Sequence, residues 1–250
     1  MRALPVCLIA LAGCDALFGL DTITSAKDAA VADAAFDAPP DGPCPTQTVD
    51  VIADAILYGK NQQQDFSTAT LMNLDTSQQA EGLVKFDVSG LAPGYTALTV
   101  NLPFAAHDDN CNGGCSSCAP LDRGGSLAVF AVAHQWAEAT GAGGALVQGA
   151  TWMYMYGKSG EQEMLPWQVP GALGQTDRSP MLAVFEHDAA TDSSFTISGA
   201  AVTAAQMWIG DGDLGFVIVP ITAEFVVRTH EHTCDPGEPA ATLVASYCGP

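Results

Sequence analysis

From Val49 onward the chain alternates apolar and polar residues in short runs rather than at helical spacing. The runs Val49–Leu57, Thr70–Leu74, Gly82–Val88, Thr96–Phe104 and Ser126–Ala133 read as strands. So do Ser194–Ile197, Leu214–Val219, Glu224–Thr229 and Thr242–Tyr247. Thr, Val, Phe and Tyr recur inside these runs, and Gly, Pro, Asp and Asn separate them. Helical spacing occurs at Val202–Ile209, a short stretch that ends at Gly210-Asp211-Gly212-Asp213. Many short strands with one brief helix predict an all-β sandwich of antiparallel strands. The roughly two hundred residues after Cys44 suffice for one sizeable core, and no internal repeat is evident.

The first residues show a different pattern. Arg2 precedes an apolar run from Ala3 to Ala12, too short to span a bilayer and suited to the core of a signal peptide. The run ends in Leu11-Ala12-Gly13-Cys14, which resembles the lipobox of bacterial lipoproteins, with Cys14 as the acylated residue. The competing reading is an ordinary secretory signal in which Cys14 is incidental. The Ala-, Asp- and Pro-rich stretch from Asp15 to about Pro43 reads as a tether, because it has few aromatics and Pro39-Pro40 would stop a helix. A short amphipathic helix is the alternative for its Ala-rich part. The expected organisation is a signal peptide at 1–13, lipidated Cys14 and tether at 14–43, and a folded domain at 44–250. The expected location is outside the cytoplasm, anchored by lipid, with the outer membrane or cell surface favoured. Asp15 keeps the inner membrane as an alternative, since an aspartate there marks retention in some bacteria.

Export changes the reading of the cysteines. The stretch CNGGCSSC, Cys111 to Cys118, has a spacing that radical enzymes use for iron–sulfur clusters. In an oxidising compartment disulfides are the better expectation. Setting aside Cys7 and Cys14 leaves Cys44, Cys111, Cys115, Cys118, Cys234 and Cys248, which allow fifteen pairings. The expectation is one bridge within the 111–118 loop, with its third cysteine reaching elsewhere. Zinc would need neighbouring ligands that the sequence only weakly offers.

The formal charge of −20, from 28 acidic and 8 basic residues, argues against nucleic acid, whose binding rests on Lys and Arg neutralising phosphates. It also gives no basic patch for anionic lipid, but offers oxygen ligands to calcium. Asp211-Gly212-Asp213 and Asp108-Asp109-Asn110 are the clustered carboxylates; neither matches an EF-hand loop, and they read first as solvated turns, with calcium at Asp211 and Asp213 the alternative. In Arg228-Thr229-His230-Glu231-His232, an extended backbone would put His230 and His232 on one face, a spacing that can hold zinc. A third ligand would come from elsewhere, such as His107 or Asp108.

Aromatic residues supply the sugar-binding candidates. In Trp152-Met153-Tyr154-Met155-Tyr156, an extended backbone would align Trp152, Tyr154 and Tyr156 on one face. Such rings can stack on pyranose C–H faces or simply fill a core. Trp167, between Pro166 and Pro170, is the better exposed candidate, whereas Trp136 and Trp208 read as core. No G-x-S-x-G, H-E-x-x-H or G-x-x-x-x-G-K occurs, so catalysis is not expected. Glu138 invites a glycosidase reading, in which two carboxylates would pair in space.

Several phrases in order resemble the DNRLRE-type domain, a carbohydrate-binding-module-like jelly roll of exported bacterial proteins. They are Asp54-Ala55-Ile56-Leu57, then Gly82 to Leu91 with Phe86-Asp87-Val88-Ser89, then Val129-Phe130-Ala131-Val132 leading to Trp136-Ala137-Glu138 and Ala150-Thr151-Trp152. Trp208 before Leu214 to Ile218, Glu224 to His232, and Pro239 to Tyr247 complete the set. The likeness covers about Asp50 to Tyr247. Departures are the spacing of Arg228 and Glu231, the insertion Asp108–Arg123 and the irregular stretch Met153–Arg178. The resemblance implies a jelly roll whose relatives bind polysaccharide, sometimes alginate, or are displayed without a known ligand.

The expected function is therefore a lipid-anchored domain binding extracellular or cell-wall polysaccharide. Aromatics would stack on the sugar, and Arg228 or a bridging calcium would meet any acidic group. The protein's own charge favours a neutral glycan. The alternative is a structural or protein-interaction module of the envelope, and a hydrolase is the third.

Overall fold

The computed structural model describes residues 43–63, 66, 69, 71–104, 122–138, 149–157, 164–230 and 240–248. Cys14, Cys111, Cys115, Cys118, Cys234, His107, Asp108 and His232 lie outside the described residues, as do the expected signal peptide and tether. Residues Pro43–Pro250 cluster as one unit.

The strands are β1 (Thr46–Tyr58), β2 (Leu71–Asp75), β3 (Ala80–Asp87), β4 (Ala97–Leu102), β5 (Gly125–Val132) and β6 (Tyr154–Gly157). They continue with β7 (Met164–Pro166), β8 (Ala183–His187), β9 (Ser193–Ser198), β10 (Asp213–Pro220), β11 (Glu224–Arg228) and β12 (Thr242–Ser246). Helix α1 spans Ala200–Gln206. All the paired strands are antiparallel. The fold is an all-β sandwich.

Strand β1 serves both layers. Its first part, Thr46–Asp50, pairs with β12, which pairs with β4 and then β9. Its second part, Val51–Tyr58, pairs with β3, and β10, β5 and β8 come next in that layer. The register shifts between Val51 and Ala53. Such a bulge bends a strand enough to pass from one sheet to the other. Strands β2 and β11 pair with each other, and β2 joins β3 at Asp75 and Ala80.

Alternation along the strands builds the sandwich core. From the first layer come Leu98, Val100, Leu102, Leu243, Phe195 and Ile197; from the second, Val84, Phe86, Leu127, Val129, Phe216 and Ile218, all buried. Phe216 meets both Phe86 and Phe195 edge-on, linking the layers through ring contacts. At one margin, Cys44 and Cys248 form a disulfide across the end of the β1–β12 pair, closing a separation of 204 residues. The other four cysteine candidates fall on residues not described.

Strands β6, β7 and β8 fall outside the runs that the alternation predicts. For β6 and β7 the reason is physical: they are short, β7 ends at Pro166, and they pair only with each other. Strand β8 carries the alternation Ala183-Val184-Phe185-Glu186-His187 but sits beside β5 at the edge of its sheet, with Val184 exposed. The helix ends at Gln206, before Trp208, because Gly210–Asp213 turns back at once.

Candidate functional site

The two outer faces of the sandwich differ. On the layer β1–β12–β4–β9 the outward side chains fall into three cross-strand rows. The register gives Asp50, Thr242, Asn101 and Ser194; Thr48, Val244, Thr99 and Thr196; and Thr46, Ser246, Ala97 and Ser198. These residues are exposed or half-buried, with inward neighbours such as Leu98, Val100 and Leu243 fully covered. Thr99 and Thr196 share a hydroxyl–hydroxyl hydrogen bond of 2.8 Å, and the Asn101 amide donates to Thr242 Oγ1 at 3.1 Å. Strand geometry sets about 4.8 Å between neighbouring rows of backbone and about 6.7 Å between alternate residues. The result is a lattice of hydroxyl and amide groups on which Asp50 is the one charge, in a chain of formal charge −20.

The other outer face is covered. Ala53, Ala55, Leu57, Leu83 and Val217 point outward from β1, β3 and β10, and Trp136, Trp152, Met155 and Trp167 lie over them in a second apolar cluster. Trp136 packs so close to β10 that a Cβ on Gly215 would meet its Nε1 at 3.1 Å and Val132 Cγ1 at 2.8 Å. Lys85 Nζ donates to the carbonyls of His134 at 2.9 Å and Trp136 at 2.5 Å, with the ammonium 4.5 Å from the Trp136 ring. Burial lowers the Lys85 pKa, opposed by Asp213 and Glu138. Glu81, on the same face, is pushed up to about 7 by burial, partly offset by Arg178.

This covering corrects two expectations. Trp152 and Trp167 are core residues, 8 % and 3 % exposed, and neither offers a ring to a sugar. The Trp167 indole N–H donates to the Thr151 carbonyl at 2.8 Å, so its polar end is used internally as well. The expected Trp152–Tyr156 row fails because only Tyr154 onward is extended; Trp152 lies in the preceding bend. Met155 is buried and Tyr154 half-buried. The side chain of Tyr156 lies outside the described residues.

The expected polar sites are placed apart. Asp211 (φ 54°) and Gly212 (φ 90°) are the two central residues of a hairpin turn closed by Gly210 and Asp213 at 3.1 and 2.9 Å. Both φ values are positive, which the Asp-Gly pair suits, and this explains the motif without a ligand. The Asp211 carboxylate is exposed, 3.8 Å from His134 Nε2. Arg228 ends β11 half-buried, its backbone N–H donating to Pro103 at 3.1 Å. His230 contacts Asp54 through its backbone N–H at 2.8 Å and Nδ1 at 3.2 Å, while Nε2 stands 3.5 Å from Glu138. Among the described residues, no group of three His, Cys, Asp or Glu is placed to hold a metal.

One polar constellation was not visible in the sequence. His187, at the end of β8, is buried with its ring 3.8 Å from that of Phe225. Its Nε2 meets both Asp122 oxygens, at 2.8 and 2.7 Å, and its Nδ1 meets Ser193 Oγ at 2.6 Å. Asp122 also accepts the N–H of Gly124 and of Ala190, each at 3.0 Å. The three residues are separated by 65 and 6 positions, so no linear motif connects them.

The chain matches no family model, and no curated protein matches it.

Proposed function

We propose that this is an exported, lipid-anchored β-sandwich of the DNRLRE type that binds neutral polysaccharide on the outer face of β1, β12, β4 and β9. The carrying observation is the lattice of mainly Thr, Ser and Asn side chains on that face, with Asp50 its one charge. A polyol chain exchanges its water hydrogen bonds for hydroxyl and amide partners there, with Asp50 the one charge whose hydration it would meet. An acidic glycan would approach a protein of formal charge −20 against repulsion, whereas a neutral one would not. The Cys44–Cys248 disulfide supports an oxidising compartment. Affinity would arise from many modest polar contacts repeated along a polymer, since Trp136, Trp152 and Trp167 lie inside.

A second reading, a structural or protein-interaction module of the envelope, is favoured by that same burial of Trp152 and Trp167, which removes the ring platform. Retention of the purified protein on a panel of neutral and acidic polysaccharides, with calcium and with chelator, separates the two. The polysaccharide reading expects retention on a neutral polymer unaffected by chelator. Passage through every column would leave the structural reading.

A further inference from the structure

We propose that Ser193 is a nucleophile, activated by His187 and oriented through Asp122, in a site that takes short acyl esters. Ser193 is the first residue of β9 and is 7 % exposed. By the alternation of β9 its side chain is on the inward side with Phe195 and Ile197, and the residue borders a cavity of about 270 Å³ at the sheet margin together with Asn101, Leu102, Pro103, Asp192, Ser194 and Thr242. The base and its orienting carboxylate sit behind it, shielded from solvent: the His187 side chain is fully buried and that of Asp122 is 4 % exposed. A serine hydroxyl 2.6 Å from an imidazole nitrogen, whose other nitrogen is held by a carboxylate at 2.7 Å, is the chain of contacts used in serine acyl transfer, here with the two ring nitrogens exchanged: Nδ1 faces the serine and Nε2 the carboxylate. The roles are set by geometry rather than by sequence order.

The ring nitrogens take their roles from their partners. Asp122 can only accept when ionised, so the imidazole proton lies on Nε2 and Nδ1 presents a lone pair to Ser193. Phe225 against the ring face and two backbone N–H groups on Asp122 fix both partners in place. As Ser193 Oγ bonds to an ester carbonyl carbon, its proton passes to Nδ1. The alcohol then leaves with that proton, giving acyl-Ser193. Water attacks the acyl group, gives a proton to Nδ1 and releases the acid as Oγ recovers its own. No other reactant is consumed.

The cavity's size limits the acyl group to a short chain. Asn101, Ser194 and Thr242 also form one outward row of the lattice on the bare face, so the cavity opens at the edge of that face. An O-acyl substituent on a bound neutral polysaccharide is the substrate class this placement selects, a choice that rests on the polysaccharide reading. The nucleophile itself does not rest on it.

The test is labelling of the purified protein with a small alkyl fluorophosphonate and peptide mapping of the product, alongside turnover of p-nitrophenyl acetate. Labelling of Ser193 is expected, with labelling and turnover both lost in Ser193→Ala. Asp122 is a positioning residue: Asp122→Asn should slow labelling about 10³-fold and displace its pH profile, a change a merely structural carboxylate would not produce. Wild-type protein that melts cooperatively yet leaves Ser193 unlabelled, under conditions that label a known serine hydrolase, would overturn the proposal. Labelling without retention on any polysaccharide would keep the nucleophile and remove the polysaccharide substrate.

Discussion

The two outer faces of this sandwich carry different outward residues, Thr, Ser and Asn on one and Ala, Leu and Val on the other. Among the described residues the first is bare and the second is covered. On the β1–β12–β4–β9 side, alternation is clean: Leu98, Val100 and Leu102 point in, while Ala97, Thr99 and Asn101 point out. On the β3 side both faces are covered, and Glu81, Leu83 and Lys85 are buried along with Gly82, Val84 and Phe86. The difference lies in the connection between β5 and β8. Its described parts bring Trp136, Trp152 and Trp167 over one sheet, and nothing comparable crosses the other among the described residues. Burial of large apolar side chains holds the covered face together, whereas hydrogen-bonded small polar side chains leave the bare face free for a partner.

The largest loss of stability is expected from Trp136→Ala. It should cost about 4 kcal/mol, read as a loss in thermal or urea stability, because a fully covered indole is removed from between β10 and its loop. A small effect would mean that the cover does not hold the sheet.

The bare layer has no such cover and is pinned at its margin by Cys44 and Cys248. Replacing both by Ser should lower stability by about 3 kcal/mol, and reductant should do the same to the wild type. Equal melting with and without reductant would count against the pin.

Glu81 sharpens the comparison through pH. Its folded pKa, raised to about 7 by burial, exceeds the unfolded value of 4.5, so the native state binds more protons between those values. Stability should therefore fall as pH rises from about 4.5 to 7 and level off above, by roughly 3 kcal/mol in all. Glu81→Gln should remove that slope and stabilise the protein at pH 8. An unchanged pH profile in the variant would show that Glu81 is not the group responsible.

Thr196→Ala on the bare face is the smallest expected change, within about 0.5 kcal/mol of wild type. A loss matching that of Trp136→Ala would erase the distinction between the faces.

Much of this was legible in the sequence, because period-two alternation with Gly, Pro and Asp breaks reports strands directly. Leu214–Val219 and Glu224–Thr229 lie within a residue of the observed β10 and β11 ends. The aromatic candidates misled for a definite reason. Trp167 between prolines reads as a loop, and loops read as exposed, but this loop is folded onto a sheet whose outward residues are Ala, Leu and Val. Leu83 beside Val84 carried part of the signal, since a strand buried on both faces loses its alternation, but Lys85 between Val84 and Phe86 reads as a solvent-facing position and hid it. The hydroxyl lattice was present as Thr99, Thr196 and Thr242, but register alone makes them neighbours. Asp122, His187 and Ser193 likewise meet only through the fold.

One added charge on each side of the sandwich distinguishes the bare face from the covered one as the contact surface. Thr196→Glu alters the lattice, and Thr176→Glu alters an exposed position in the covering loop. Binding of both variants and wild type to the retained neutral polysaccharide would be measured by affinity electrophoresis at equal ionic strength. The account predicts that Thr196→Glu weakens binding at least about tenfold, the equivalent of 1.4 kcal/mol, while Thr176→Glu binds as wild type. Wild-type binding by Thr196→Glu, or selective loss in Thr176→Glu, would contradict it.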